Sequence, residues 1–186
     1  MGKIQVFNFT TVNGFFKGPN DDISWAHRQQ QDKEFAEEGA NAGGILLFGR
    51  VTYQMMASYW PTPLAEQNDA KVAEGMNKAE KIVFSNTLKK ADWKNTRIIS
   101  GDIITQVSKL KEASTRDMTI LGSGSIVTQL SNAGLIDEYQ FLIHPLAIGE
   151  GTPLLQGIDQ PIALELINTK PFKSGSVLLT YRPSDN

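Results

Sequence analysis

Short apolar segments alternate with longer amphipathic segments along most of this chain, and this alternation limits the folds that are open to it. The apolar segments are rich in Ile, Val, Leu and Phe, and each ends at or close to a Gly, Ser or Asn. Uninterrupted apolar runs suit strands that are covered on both faces, so the pattern predicts β-α-β units around a largely parallel sheet. The predicted strands are Ile4–Phe9, Gly44–Phe48, Lys81–Ser85, Arg97–Ser100 and Met118–Leu121.

The segments between these strands have the apolar spacing of helices that pack one side against a core. Asp32–Ala40 is rich in Glu and Ala, and Asp102 is placed to cap the helix that follows it. The expected core-facing positions are Leu64, Val72, Met76 and Ala79, then Ile103, Val107 and Leu110, and finally Ile126, Val127 and Leu130 on a helix that begins at Ser123 or Ser125.

The pattern changes after Gly134, where predicted strands follow one another at Glu138–Ile148, Ile162–Thr169 and Ser176–Tyr181. The last two have no helix-length segment between them, so they should form an antiparallel hairpin at a sheet edge. The chain, residues 1–186, is therefore predicted to be a single α/β domain with about eight strands and an antiparallel C-terminal end.

The composition excludes several kinds of chemistry. The absence of Cys removes thiol nucleophiles and disulfides, and two histidines are too few for a His-rich metal site, so no metal is expected. A net charge of −2 without a cluster of Lys and Arg argues against nucleic-acid binding. The apolar runs are far shorter than the ~20 residues of a membrane-spanning helix, and we expect a cytoplasmic protein with a small-molecule substrate.

One motif favours binding of an anion. Gly122, Ser123, Gly124 and Ser125 come directly after an apolar strand and directly before a predicted helix. Glycine lets the backbone approach a phosphate closely, and a helix N-terminus offers free N–H groups and the positive end of the helix dipole. Gly and Ser at such a turn also have an ordinary steric explanation, so the motif alone leaves both alternatives open.

Two further strand ends carry polar groups. Gly49, Arg50 and Thr52 follow one predicted strand, and Ser85 follows another. In open α/β sheets the ligand lies outside the carboxyl ends of the strands, so three polar strand ends predict an extended ligand with several phosphates, such as a dinucleotide. Arg50 could pair with a phosphate through two hydrogen bonds, although a surface ion pair with a Glu is the ordinary alternative.

Taken in order, these motifs resemble the dihydrofolate reductase-like superfamily. They are Phe48-Gly49-Arg50 with Thr52-Tyr53, Phe84-Ser85, the Leu121–Ser125 segment and Gly134-Leu135-Ile136-Asp137-Glu138. The last of them is similar to the riboflavin-biosynthesis reductase branch, the RibD C-terminal domain, as are Pro145, the Gly149-Glu150-Gly151 turn and the loop from Thr11 to Pro19. The resemblance implies a three-layer fold, in stand-alone form because no deaminase domain is present.

The resemblance also implies NADPH as the hydride donor and assigns residues to it. Gly49, Arg50 and Thr52 would hold the adenosine-side phosphates, Ser85 would lie near the ribose 2′-phosphate, and Gly122, Ser123, Gly124 and Ser125 would hold the pyrophosphate. The nicotinamide would lie near Asn8, Phe9 and Gly14, and Asn13 and Trp25 would lie on the substrate side. The implied activity is that of 5-amino-6-(5-phosphoribosylamino)uracil reductase or dihydrofolate reductase, in a homodimer.

The chain departs from this pattern at two positions. The branch usually has Asp where this chain has Asn13, which keeps the geometry of the turn but supplies no negative charge. Folate reductases place an acid on the helix before the Gly-Arg strand, and only Asp32 falls there; its alternative role is the N-cap of that helix. The phosphate of a ribosylaminopyrimidine would need a cation, for which Lys17, His27 and Arg28 are candidates.

The prediction is therefore an NADPH-dependent reductase of a small heterocyclic or ribosylaminopyrimidine-type substrate. Two alternatives stay open. One is a non-catalytic nucleotide-binding module on the same fold, which the absence of an obvious acid favours. The other is an FMN-binding doubly wound protein, which would use the same helix N-termini.

Overall fold

The computed structural model describes residues 1–26 and 30–184, and for residues 30–32 it describes the backbone only. Within this part of the chain, no helix is long and apolar enough to cross a membrane. The structure has an α/β fold with ten strands and five α-helices among the described residues.

Eight strands form one sheet, in the order β5-β4-β3-β6-β1-β7-β10-β9. All pairs from β5 to β7 are parallel, whereas β10 is antiparallel to both β7 and β9. The sheet is thus mostly parallel with an antiparallel C-terminal hairpin, as predicted. Its strands are β1 (Ile4–Thr11), β3 (Ile45–Gly49), β4 (Glu80–Phe84), β5 (Thr96–Ile99), β6 (Met118–Leu121), β7 (Glu138–His144), β9 (Leu164–Pro171) and β10 (Val177–Pro183).

Five α-helices cover the two faces of this sheet, which gives three layers. Alternate side chains of β3 show the division: Ile45 and Leu47 pack into a core with α4 and α5, and Leu46 and Phe48 pack into a second core with α2 and α3. The helices are α1 (Gln30–Ala40), α2 (Arg50–Tyr59), α3 (Pro63–Lys78), α4 (Ile103–Ala113) and α5 (Gly124–Asn132).

The structure corrects the sequence prediction in three places. Leu64, predicted to face the core, is 56% exposed because the first turn of α3 buries the next residue, Ala65, and leaves Leu64 on the outer side. The strand predicted to extend to Ile148 ends at His144, since Pro145 has no N–H for a further ladder bond. A small second sheet of β2 (Phe15–Lys17) and β8 (Thr152–Pro153) was not predicted, because strands this short have no readable periodicity.

The Gly-Leu-Ile-Asp-Glu motif has a structural explanation. Asp137 accepts a hydrogen bond from the backbone N–H of Ile4 at 2.8 Å and forms an ion pair with Lys111 at 2.7 Å. The carboxylate therefore joins the start of β1 to the end of α4, immediately before β7 begins.

Two buried contacts hold α3 in place. A Cβ on Gly75 would lie 2.6 Å from the carbonyl oxygen of Ala40, so the absence of a side chain lets α1 and α3 approach closely. Lys81 is fully buried at the start of β4, and its Nζ donates to the carbonyl oxygens of Met76 at 2.8 Å and Ala79 at 2.7 Å. This ammonium group therefore satisfies carbonyls at the C-terminal end of α3.

Candidate functional site

A cleft of about 1090 Å³ opens at the carboxyl ends of the parallel strands and continues along the sheet face beneath α1. Polar groups from the ends of β3, β4, β5 and β6 line its strand-end part. All but one of the predicted cofactor residues line this cleft, namely Asn8, Phe9, Gly49, Arg50, Thr52, Ser85, Gly122, Ser123, Gly124 and Ser125. The prediction that these separate segments lie at one sheet edge agrees with this geometry.

The β3–α2 and β6–α5 turns are joined by two hydrogen bonds. The hydroxyl of Ser123 accepts from the N–H of Gly49 at 3.0 Å, and the hydroxyl of Thr52 accepts from the N–H of Ser123 at 3.1 Å. The Ser123 hydroxyl also donates to the carbonyl oxygen of Leu121 at 3.2 Å. Both side chains thus contact the protein backbone, and their direct effect is to hold the two turns together.

The β6–α5 turn has the backbone geometry of an anion site. Gly122 and Ser123 both have positive φ, at 60° and 53°, and a Cβ on Gly122 would lie 3.2 Å from a methyl carbon of Thr52. Neither α2 nor α5 has a side-chain cap, and the N–H groups of Gly124 and Ser125 have no acceptor among the described residues. Uncapped helix N-termini next to a glycine turn fit a phosphate.

The charged groups at this edge differ in sign. Arg50 begins α2, is exposed, and donates to the side chain of Gln54 at 3.2 Å. Asp102 caps α4, where hydrogen bonds from the hydroxyl and N–H of Thr105 hold the pKa of its carboxyl below the usual value. The turn after β4 lies between these elements, since Asn86 accepts from the N–H of Gly101 at 2.7 Å. Ser85, one residue earlier, accepts from backbone N–H groups of its own turn.

Strand β1 forms the wall next to the β6–α5 turn. Asn8 is buried and donates to the carbonyl oxygen of Gly122 at 3.3 Å, so it supports the turn from below. The ring of Phe9 lies 5.3 Å from that of Phe7 and 5.7 Å from that of His144. Buried His144 is thus a packed side chain.

Three other predicted site residues do not line the cleft. The Asn13 amide donates to the carbonyl oxygen of Ile148 at 2.8 Å and accepts from its N–H at 3.4 Å. A carboxylate could not make the first of these bonds, which explains an Asn at this position. Gly14 has a φ of 86° in the same turn, and Trp25 packs edge-on against His144, with ring centres 5.7 Å apart.

The side chains of the proposed acid and of two of the proposed phosphate partners lie outside the described part of the chain. Asp32 lies within α1, so the alternative that it caps this helix is wrong, and its side chain lies outside the described part of the chain. His27 and Arg28 also lie outside the described residues. Lys17 lines the cleft and forms an ion pair with Asp21.

Sequence reasoning missed the part of the cleft beneath α1. Its floor consists of polar side chains on the sheet, Gln5, Thr119 and Gln140, and Phe35 of α1 lines the opposite side. The available signal was Gln5 between the apolar residues Ile4 and Val6, because a polar side chain within a buried strand requires a polar neighbour. That neighbour is Thr119, whose hydroxyl accepts from Gln5 at 2.8 Å.

Thr52→Val should lower the free energy of unfolding by about 1–2 kcal/mol, because it leaves the N–H of Ser123 without its acceptor while the shape of the side chain is kept. Urea denaturation measures this change. The exposed Thr115→Val should change stability by less than about 0.5 kcal/mol. Equal effects of the two substitutions would show that the bond between the turns has no energetic importance.

Comparisons with known proteins agree with this geometry. The chain matches the model of the family described as RibD C-terminal domain over residues 2–178. It is 31% identical over 171 residues to the protein YyaP of Bacillus subtilis (strain 168). The aligned residues cover 92% of this chain and 89% of YyaP.

Solved structures with low sequence identity have the same fold. A putative riboflavin biosynthesis protein from Shewanella sp. PV-4 superposes on this chain with a TM-score of 0.75 at 18% identity. The match covers 98% of this chain and 99% of the Shewanella chain. Dihydrofolate reductase from Enterococcus faecalis, complexed with NADP(H) and RAB-propyl, has a TM-score of 0.68 at 15% identity. This match covers 99% of this chain and 98% of the reductase chain. The fold is therefore dihydrofolate reductase-like.

Proposed function

The chain belongs to the RibD C-terminal domain family, and from this premise we propose that it is an NADPH-dependent reductase of a small heterocyclic substrate. We propose further that residues 1–186 act as one reductase domain. When bound, NADPH supplies a hydride to the carbon of a C=N or C=O bond, and a proton from water completes the product. The protein binds and orients the two reactants and excludes water from between them.

One observation carries this proposal: two uncapped helix N-termini meet at a glycine turn on one side of the cleft. The N–H groups of Gly124 and Ser125 would hold the pyrophosphate, and Gly122 leaves room for it next to Thr52. Arg50, at the start of α2, would pair with the 2′-phosphate on the adenosine side. Asn8 and Phe9 would lie against the nicotinamide, since β1 passes beneath the same turn.

Arg50→Ala should weaken NADPH binding about ten-fold and leave NADH binding nearly unchanged, because only NADPH has the 2′-phosphate that needs a cation. Isothermal titration of the purified protein with each cofactor measures the two affinities. Arg182→Ala is the matched control, since Arg182 pairs with Glu165 on the C-terminal hairpin. Equal losses of NADPH and NADH affinity on Arg50→Ala would contradict the assignment of the 2′-phosphate side.

The non-catalytic nucleotide-binding module is the second candidate function. The described residues that line the cleft include no His and only two acids, Asp21 paired with Lys17 and Asp102 engaged as a helix cap. A reductase that takes its proton from water does not need a free acid or His in the cleft. A binding module does not need one either, so this lining fits both candidate functions. NADPH binding without oxidation across a panel of heterocyclic acceptors would favour the binding module.

We propose a homodimer, with a second copy on the edge strand β9. Leu166 and Ile167 lie next to each other at a β-bulge of this strand and are 49% and 44% exposed. An edge strand with unpaired backbone groups and exposed apolar side chains is a typical surface for pairing. Light scattering at micromolar concentration should give twice the mass of the chain, and a monomeric mass would contradict the proposal.

A further inference from the structure

At the end of β5 the cleft is lined by an acidic side chain. Asp102, the N-cap of α4, lines this part of the cleft together with Gly101 and Ile103, and it is exposed. Both hydrogen bonds that its carboxylate accepts, from the N–H and the hydroxyl of Thr105, go to Oδ2. Within the described part of the chain Oδ1 has no hydrogen-bond partner, so one carboxylate oxygen is available to a ligand.

The ends of three neighbouring strands form one row at this edge. Gly49, Phe84 and Ile99 are partners in register on β3, β4 and β5, so the turns that follow these strands begin side by side. Neighbouring strands lie about 4.8 Å apart, which separates the ends of β3 and β5 by about 10 Å. The turn after β4 lies between them and contacts the turn after β5, because the side chain of Asn86 accepts from the N–H of Gly101 at 2.7 Å.

Opposite charges lie on the two sides of the turn after β4. Arg50 follows β3 at the start of α2, and Asp102 follows β5 at the start of α4, on the other face of the sheet. Arg50 donates to Gln54 at 3.2 Å rather than to Asp102. The Debye length at physiological ionic strength, about 8 Å, exceeds the spacing of adjacent strands. Both charges therefore act on a ligand group bound near Ser85, at the end of β4.

The two charges have opposite effects on the two nicotinamide dinucleotides. The proposed function pairs Arg50 with the 2′-phosphate of NADPH, which would put this phosphate in the same row of strand ends. A phosphate monoester carries a charge of about −1.5 to −2 at neutral pH, so Asp102 would repel it while Arg50 attracts it. NADH has a hydroxyl at this position, and an acidic side chain can accept a hydrogen bond from it.

We propose that Asp102 is a specificity-determining residue that opposes Arg50, so that the protein binds NADPH no more than about ten-fold tighter than NADH. This inference rests on the proposed function, because it concerns the adenosine side of the same cofactor. It adds NADH as a second hydride donor for the proposed reaction. The charge of Asp102 acts on the 2′-phosphate directly, and its role as the cap of α4 is separate from this effect.

The experiment measures the affinities of NADPH and NADH by isothermal titration. Asp102→Asn keeps an N-cap residue but removes the negative charge, so it should raise the ratio of NADPH to NADH affinity about three-fold or more. Asp159→Asn removes an exposed acid that does not line the cleft and should leave this ratio within about two-fold of the unmodified protein. A smaller rise in Asp102→Asn, or a preference of the unmodified protein for NADPH above ten-fold, would overturn the inference.

The salt dependence separates an effect of charge from an effect of shape. The Debye length falls from about 10 Å at 0.1 M salt to about 3 Å at 1 M, so the gain in Asp102→Asn should shrink over this range. An undiminished gain at 1 M salt would indicate an altered helix start and overturn the inference. Asp102→Ser also keeps an N-cap residue, and it should give the same result if Asp102→Asn does not fold.

A double variant tests whether both charges act on the same phosphate. With Arg50→Ala and Asp102→Asn combined, the ratio of NADPH to NADH affinity should lie between the ratios of the two single variants. A double variant that matches Arg50→Ala alone would show that Asp102 acts only through Arg50, against the inference.

The same titrations separate the possible failures. If neither dinucleotide binds, the proposed function fails, and the inference fails with it. If both bind and the ratio does not respond to Asp102→Asn, the inference alone is wrong.

Discussion

Gly75→Ala should lower the free energy of unfolding by about 2 kcal/mol, although alanine is the better helix former. The new Cβ would lie 2.6 Å from the backbone oxygen of Ala40, so α1 and α3 would have to move apart. A backbone atom cannot rotate away as a flexible side chain can, and the cost therefore falls on the packing of α3. Urea denaturation measures this loss of stability, provided that the free energy of unfolding depends on urea concentration with the same slope in both proteins.

Gly39→Ala is the matched control on the neighbouring helix. A Cβ on Gly39 meets no atom within 4 Å, and its backbone is helical, so the substitution should raise stability by about 0.5–1 kcal/mol. The two Gly→Ala variants should thus differ by about 3 kcal/mol in opposite directions. Stabilisation by both would mean that α1 and α3 are farther apart in solution than Gly75 and Ala40 indicate.

Lys81→Met should lower the free energy of unfolding by about 3 kcal/mol at pH 7. The methionine fills a similar volume but leaves the carbonyl oxygens of Met76 and Ala79 without a donor, and it removes the ammonium group from the ring of Trp93, 4.4 Å away. Chemical denaturation measures the loss. The exposed Lys89→Met should change stability by less than about 0.5 kcal/mol.

The loss should also depend on pH. Burial lowers the pKa of Lys81 from 10.5 to about 8. Between these values the unfolded chain binds more protons than the folded chain, so stability rises with pH in that window. From pH 8 to pH 10 the difference between the unmodified protein and Lys81→Met should widen by about 2 kcal/mol. A constant difference across this range would show that the buried amine keeps its ordinary pKa.

The parallel core of the fold could be predicted because its signal is local. Each buried strand such as β3 or β6 is an apolar run that ends at a glycine, and the runs are separated by helix-length segments. The hairpin of β9 and β10 followed from the missing helix between them. By contrast, β2 pairs with β8 across more than half of the chain, and no pattern within either short segment predicts that pairing.

The candidate site was predictable only in part, for a related reason. Turn chemistry is local, so the glycine turn at Gly122 and the strand end at Gly49 could be found from sequence. The roles of hydroxyl groups depend on neighbours distant in sequence: Ser123 and Thr52 contact each other's turns, which no spacing indicates. The part of the cleft beneath α1 was missed because its floor combines single polar residues from three strands that only the sheet order brings together.

The central position of β1 also affects how the protein is made. β1 leaves the ribosome well before its two neighbours, β6 and β7, which begin at Met118 and Glu138. At about 5–20 residues per second, roughly 6–22 s pass between synthesis of Thr11 and of Leu121, during which β1 has neither partner. The central β1–β6–β7 part of the sheet therefore assembles only after most of the chain has been made.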